Sequence, residues 1–228
     1  MRFRIDLKIF LLILLFYLTM QLQEYMIMFI FILIHELGHI LAGIILGLKP
    51  EVLEFIPQGL RIEFKINEKD YNKKILNGNI LELKKIVIAA AGPITNILII
   101  ILILNINKLN NNTQISIFEQ INIVYTNLLI ILFNILPIYP LDGGKILKGM
   151  IHIFKGKRKA EKYINNISFV TMILITILSS LLILYLQNIA ILIVNIFLWV
   201  LFISEDIKYK KRDKIYKLID KTIEKREI

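Results

Sequence analysis

The chain has 228 residues, of which 57% are hydrophobic, and its mean hydropathy is +0.68. This composition excludes an ordinary soluble globular protein and is typical of a polytopic membrane protein. The chain has no cysteine, which excludes disulfides, thiolate metal ligands and a cysteine nucleophile. A net charge of +10 would suggest nucleic acid in a soluble protein, but membrane topology explains it here, and we expect no nucleic-acid partner.

Apolar runs predict six membrane-spanning helices and therefore an all-α fold in the lipid bilayer. The first run follows Met1-Arg2-Phe3-Arg4 and resembles a signal peptide. No small-residue cleavage site follows it, so we interpret it as a retained span. The predicted spans are residues 6–21, 25–47, 85–106, 117–139, 164–186 and 189–204.

The basic residues support six spans because they fall on alternate loops. Lys and Arg precede span one, lie between spans two and three and between spans four and five, and follow span six. The loop between spans three and four has only Lys108. Basic loops stay in the cytoplasm, so we expect both termini there. Residues 1–204 are then the membrane domain, and 205–228 form a basic cytoplasmic tail.

Span two carries His35-Glu36-Leu37-Gly38-His39 inside an apolar run. Histidines four residues apart project from one face of a helix. With a glutamate beside the first, they form the HExxH pattern, in which the imidazoles bind Zn²⁺ and the glutamate acts on water. An ionisable group at this depth costs at least ~2.5–3.5 kcal/mol, which a bound cation would offset. The alternatives are a chance match and polar residues that only join helices.

Residues 51–66 predict a small β-hairpin on the cytoplasmic side, directly after span two. Apolar residues from Leu60 to Ile66 alternate with charged ones, and Pro57-Gln58-Gly59 is typical of a turn. The hairpin is either a cap on the helix bundle or an edge that pairs with an extended peptide.

Two further stretches combine small, amide and helix-breaking residues. In span three, Ala89 to Gly92 favour close helix packing, Pro93 loosens the backbone, and Asn96 has an amide that could bind a peptide carbonyl. Span four ends in Asn134-Ile135-Leu136-Pro137-Ile138-Tyr139-Pro140-Leu141-Asp142-Gly143-Gly144.

The prolines of this second stretch stop regular helix, and non-helical backbone at membrane depth must be buried in protein or line a wet cavity. Asp142 would complete a His-His-Asp set for one zinc ion and leave a fourth position for water. The alternative is an ordinary turn at the membrane surface. Asn134, like Asn96, could bind a peptide carbonyl or a backbone group.

The tail after span six is basic and predicts an amphipathic helix on the anionic inner leaflet. Its apolar stripe would consist of Ile215, Leu218, Ile219 and Ile223.

Taken in order, these motifs resemble the site-2 protease family of intramembrane zinc metalloproteases, over roughly residues 1–204. The resemblance implies that His35, His39 and Asp142 bind one Zn²⁺ and that Glu36 activates water. It also implies that Asn134 contacts substrate, and we expect Pro137 and Asn96 to bind substrate with it. The implied substrate is a single-span or membrane-associated protein, and regulatory membrane partners are also expected.

Within that family, six spans and a cytoplasmic C-terminus most resemble the stage IV sporulation protease FB type. That type implies a membrane-tethered sigma-factor precursor as substrate, in a bacterial cell membrane or forespore membrane. Residues 205–228 are too few for the CBS domain often found in this subgroup, and no loop is long enough for a PDZ domain. Two other functions stay open, an inactive relative that binds membrane partners and a metal or ion transporter.

Overall fold

The computed structural model describes residues 2–5, 10, 17, 22–56, 59–65, 76–109, 116–186 and 189–224. These residues divide into two compact units, residues 1–135 and 136–228. The first unit contains β1 (Arg2–Ile5), α1 (Leu22–Ile45), β2 (Lys49–Ile56), β3 (Gly59–Lys65), α2 (Leu76–Leu109) and α3 (Ile117–Ile135). The second unit contains α4 (Asp142–Lys155), α5 (Lys157–Leu186) and α6 (Ile189–Glu224).

Four of the six predicted spans correspond to helices that are long and apolar enough to cross a membrane. These segments are Met26–Ile45 in α1, Ile80–Asn105 in α2, Ile117–Ile135 in α3 and Lys157–Tyr185 in α5. Of the first predicted span, 6–21, only Phe10 and Tyr17 are described. The sixth, 189–204, is helical but belongs to α6, which is not among these four. The six-span arrangement therefore stays a prediction.

A three-stranded sheet follows α1, with strand order β1-β2-β3. Strands β2 and β3 pair antiparallel, with Lys49 opposite Lys65 and Ile56 opposite Gly59, and a register shift between Pro50 and Val52. These strands cover most of the predicted 51–66 segment, and positions 57, 58 and 66 lie outside the described residues. Strand β1 was not predicted, and it adds a parallel pair to β2.

The junction between α1 and β2 is set by a glycine. Gly47 has a φ of 80°, its N–H donates to the Ile44 carbonyl at 2.9 Å, and the Leu48 N–H donates to the Gly43 carbonyl at 2.9 Å. This pair of bonds is a Schellman motif, which ends a helix with a left-handed residue. Leu48 is buried directly after it. The chain therefore leaves α1 in a fixed direction and enters the sheet after a connection of only three residues, 46–48.

The close contact of α1 with α2 depends on small residues. A β-carbon at Gly38 would collide with the Thr95 hydroxyl and lie 3.0 Å from the Ala91 carbonyl oxygen. The Thr95 hydroxyl itself donates to that carbonyl at 2.8 Å. Small residues in this part of α2 thus let the two backbones approach, as expected for packed membrane helices.

In the second unit, polar contacts join α5 to α6 along their length. Asn165 donates to Asp206 at 3.0 Å, and the Trp199 indole N–H donates to the Thr176 hydroxyl at 2.9 Å. No glycine or proline interrupts residues 189–224, so α6 continues through the predicted boundary at residue 204 without a break. The exposed tail carries pairs such as Lys217 with Asp213 at 2.7 Å, and this hydrogen bond lowers the pKa of the Asp213 carboxyl.

Replacing Gly43 by alanine should loosen the sheet from α1. A β-carbon at this position would collide with the ring of Phe64 in β3, and such overpacking costs about 1–3 kcal/mol. We expect a lower midpoint of thermal unfolding in detergent. The double variant Gly43→Ala/Phe64→Ala is the control, because removing the ring makes room for the methyl group. Its loss of stability should be smaller than the sum of the two single losses, and strict additivity would contradict the contact.

Candidate metal centre

The two histidines of span two lie side by side in the interior of the first unit. His35 is 1% exposed and His39 is 6% exposed, both on the same face of α1. Their ring centroids are 4.8 Å apart with the planes nearly perpendicular, and the two Nε2 atoms are 3.2 Å apart. The helical spacing thus brings one nitrogen of each ring to a common point.

The other nitrogen of each ring is held by an acceptor on α2. His35 Nδ1 is 2.6 Å from the side-chain oxygen of Asn96, and His39 Nδ1 is 2.7 Å from the backbone carbonyl oxygen of Ile88. Neither oxygen can donate a proton, so both Nδ1 atoms must carry the hydrogen and donate it. In a neutral imidazole the Nε2 atom is then the one with the lone pair.

This arrangement fits a divalent metal ion. Two lone pairs that face each other at 3.2 Å repel, and a cation between them turns the repulsion into two metal–nitrogen bonds. For tetrahedral zinc with Zn–N bonds of 2.0–2.1 Å, the two nitrogens would lie about 3.3 Å apart. Metal-binding histidines usually donate their second N–H to a carbonyl or carboxylate, and both rings here have such an oxygen partner.

Gly92 of α2 leaves the space that the two rings occupy. A β-carbon at this position would lie 2.5 Å from Nε2 of His35 and 2.5 Å from Nε2 of His39. The next residue, Pro93, lies inside the helix and has no N–H to donate to the turn before it. The glycine that sequence analysis assigned to helix packing therefore has a second consequence, because only a residue without a side chain fits against the imidazole nitrogens.

Asn96 lies behind His35 and is joined to an asparagine that sequence analysis did not select. Asn96 Nδ2 donates to the side-chain oxygen of Asn127 in α3 at 2.7 Å, and both residues are 0% exposed. Both ends of the Asn96 amide therefore have partners inside the protein. The prediction that Asn96 contacts substrate stays untested. Asn127 was visible only as one of three asparagines in a span that is less apolar than the others.

The remaining predicted residues of the first unit lie on the same helices. Glu36 follows His35 on α1 and is half-buried. Asn134 is half-buried in the last turn of α3, and its Nδ2 donates to the Ile130 carbonyl at 3.1 Å. The structure thus brings His35, His39 and Asn96 into direct contact, while Asn134 donates a hydrogen bond within its own helix.

Asp142 and Pro137 belong to the second unit, where a short non-helical segment that includes Pro137 leads to Asp142 at the start of α4. The buried Ser168 of α5 bonds twice to this segment, since it accepts from the Tyr139 N–H at 3.1 Å and donates to the Pro137 carbonyl at 3.4 Å. A β-carbon at Gly144 would lie 2.5 Å from the backbone at Ile138 and Tyr139. The segment therefore packs tightly against the first turn of α4, and Gly144 is required there.

Asp142 is the first residue of α4 and is 2% exposed. The positive end of a helix dipole stabilises a carboxylate at this position. Its Oδ1 atom also accepts from the Lys145 ammonium at 2.9 Å. The carboxylate is thus oriented by a contact within its own helix, which suits a metal ligand.

Fold and side chains define an α-helical membrane protein with a buried histidine pair suited to a metal ion. The model of peptidase family M50 matches residues 100–178. A zinc metalloprotease of Methanocaldococcus jannaschii is 29% identical over 185 residues, which is 77% of this chain and 47% of that protein. The chain therefore spans about half the length of this curated relative.

A solved structure titled as the site-2 protease from Methanocaldococcus jannaschii has the same fold. The TM-score is 0.62 over 89% of each chain, with 22% identity. The predicted resemblance to the site-2 protease family is confirmed, with the peptidase family M50 model matching residues 100–178. It is an integral membrane protein, and the family is one of zinc metalloproteases.

Replacing Gly92 by alanine should abolish metal binding at the histidine pair. The added methyl group would collide with both Nε2 atoms and push the rings apart, although alanine favours helix more than glycine does. We expect the zinc content of the purified protein to fall well below one per chain, measured by atomic absorption. The midpoint of thermal unfolding of the zinc-free protein is the control, and it should change by only a few degrees. Full zinc occupancy in the variant would contradict the placement of the rings.

Proposed function

We propose that this protein is an intramembrane zinc metalloprotease that hydrolyses a peptide bond in or near the transmembrane segment of a membrane-tethered protein. The observation that carries the proposal is the pair of Nε2 atoms at 3.2 Å, inside a helix apolar enough to span a membrane and beside a glutamate. A buried histidine pair with fixed Nδ1 hydrogens is costly in lipid unless it binds an ion.

We propose His35, His39 and Asp142 as the ligands of one Zn²⁺ ion. All three residues are buried, and each offers one ligand atom of a type that zinc accepts. Three protein ligands leave a position for water, as in catalytic rather than structural zinc sites. When bound, the zinc ion would lower the pKa of a water molecule towards ~7 and polarise the scissile carbonyl.

Glu36 is the proposed general base. Its carboxylate accepts a proton from the attacking water and passes the proton to the nitrogen of the leaving amine. The position next to His35 puts the carboxylate on the helix that carries both imidazoles. A site that only bound metal would have no need of a carboxylate here.

The substrate must be extended for its carbonyl to be reached, because a helical carbonyl is already hydrogen-bonded. Strand β3 is at one end of the sheet order and supports this step, since an edge strand can pair with an added peptide. The ring of Phe64 in β3 lies against Gly43, four residues after His39 on α1. We propose that the substrate pairs with β3, with Asn134 and Pro137 as further contacts.

The cellular context is proposed from the arrangement of the spans. Both termini would lie in the cytoplasm of a bacterial cell or mother cell, with residues 205–228 at the inner surface. The substrate would be a sigma-factor precursor, as in the stage IV sporulation protease FB type. An inactive relative that binds membrane partners, and a metal or ion transporter, make different predictions for the first experiment below.

Replacing Glu36 by glutamine should abolish cleavage and retain zinc. The amide keeps the size of the side chain but cannot accept the proton, and loss of a general base costs typically 10²–10⁴-fold in rate. The measurement is the amount of fragment formed when the protein and candidate single-span substrates are co-expressed. Zinc content should stay near one ion per chain.

Glu82→Gln is the matched control, because this glutamate lies on α2 and pairs with the exposed ammonium of Lys85, and pairs with an exposed partner contribute little. Its cleavage rate should equal that of the wild type. Equal fragment from Glu36→Gln and wild type would refute the role of Glu36. Metal transport into vesicles that persists in Glu36→Gln, without cleavage in the wild type, would favour the transporter.

Replacing Asp142 by asparagine should weaken zinc binding by at least about 100-fold, because the neutral amide is a poor ligand and the set loses its only carboxylate. The affinity is measured by competition with a zinc chelator. Asp213→Asn in the exposed part of α6 is the control and should bind zinc like the wild type. Unchanged affinity in Asp142→Asn would exclude Asp142 as the third ligand and leave the histidine pair in place.

A further inference from the structure

A chain of three hydrogen bonds, two of them buried and one partly buried, runs from α3 through α2 to the first histidine. Asn127 Nδ2 donates to the Ile123 carbonyl at 2.8 Å, and Asn96 Nδ2 donates to the Asn127 side-chain oxygen at 2.7 Å. His35 Nδ1 then donates to the Asn96 side-chain oxygen at 2.6 Å. We propose that Asn127 is a positioning residue that fixes, through Asn96, which nitrogen of His35 faces the metal. This inference rests on the proposed zinc site.

The bond from Asn127 to the Ile123 carbonyl determines which group donates and which accepts in the other two hydrogen bonds. The Ile123 carbonyl can only accept, so Asn127 must turn its NH₂ group towards it and its oxygen towards Asn96. An oxygen in that place can only accept, so Asn96 must present its NH₂ group to Asn127 and its own oxygen to His35. A backbone carbonyl in α3 thereby determines that His35 Nδ1 carries a hydrogen.

The tautomer of His35 decides whether its Nε2 atom can bind zinc, because a neutral imidazole has one N–H and one lone pair. If Asn96 turned over, its NH₂ group would face His35 Nδ1, and the hydrogen of the ring would move to Nε2. The nitrogen that faces His39 would then have no lone pair for zinc. Asn96 and Asn127 are both 0% exposed, so water cannot replace either bond or stabilise the reversed amide.

His39 provides an internal comparison because its Nδ1 hydrogen is fixed differently. The acceptor is the backbone carbonyl of Ile88, at 2.7 Å, which cannot turn over. The two zinc ligands therefore differ in what sets their tautomer. His35 depends on two side-chain amides, whereas His39 depends on the backbone alone.

The test replaces Asn127 by leucine, which has a similar size and no polar atoms. With nothing to accept from Asn96, the Asn96 amide can adopt either orientation. The zinc-free protein is labelled with ¹⁵N-histidine and studied by NMR in detergent, where the ring nitrogens report the tautomer. The chain has three histidines, so the signals can be assigned from single substitutions of each.

We expect the wild type to show a protonated Nδ1 at His35, and the Asn127→Leu variant to show a mixture of both tautomers there, with His39 unchanged. The dissociation constant for zinc, measured by chelator competition, should rise by about 10–100-fold, as is typical when a residue that orients a ligand is removed. Asn127→Ala, which removes the amide without adding bulk, should change both quantities in the same direction.

Asn122→Leu is the matched control, since it is the same substitution on the same helix at an exposed position. It should leave the tautomer and the zinc affinity unchanged. If the Asn127 variants keep the His35 tautomer and the zinc affinity of the wild type, the proposal is overturned. An equal change in the His39 tautomer would also overturn it, because that result would indicate general unfolding. The tautomer is read in the absence of metal and substrate, so this result is independent of whether the protein cleaves peptides.

Discussion

The close contact of α1 with α2 is the feature on which the rest of the candidate site depends. Three residues of α2 at successive four-residue intervals, Ile88, Gly92 and Asn96, face the histidine pair. The first and third accept from the two Nδ1 atoms, and the second leaves room for the rings. One stripe on one helix therefore sets the position, the tautomer and the available space of both imidazoles.

The membrane explains why so many polar atoms in this region are paired. Unpaired polar groups are expensive in lipid, where no water can replace a missing partner. The amides of Asn96 and Asn127 are buried and bonded to each other, and both Nδ1 atoms donate. Within the part of the chain that the structure describes, these bonds turn an unfavourable set of polar groups into a rigid support for a metal ion.

The second unit holds a buried carboxylate at the point where a non-helical segment ends and α4 begins. Ser168 bonds to the segment before α4 on both sides of Ile138, which is itself 0% exposed. Gly144 lets the first turn of α4 pack against that segment. Lys145 and the helix terminus then orient the Asp142 carboxylate. The Leu-Asp-Gly-Gly sequence thus combines a buried carboxylate with the backbone freedom that its surroundings require.

The sequence by itself determined the features that depend on local spacing and on solvent. Runs of apolar residues predicted the helices that contain four of the spans, and the four-residue interval predicted that His35 and His39 share a face. Alternation predicted the strands within 51–66, although the four residues of β1 were too short a pattern to detect. These signals are periodic or compositional, so no knowledge of distant contacts was needed.

Only the tertiary structure decided which polar side chains support the histidines. Three asparagines in α3 are alike in sequence, yet Asn127 alone of the three is buried. Asn96 was selected from the sequence for its amide, and its contact with His35 follows only from the fold. Gly92 suggested helix packing, and its proximity to both rings came only from the contact with α1. Such assignments depend on how separate helices are rotated against each other, and that rotation is set by side chains far apart in the chain.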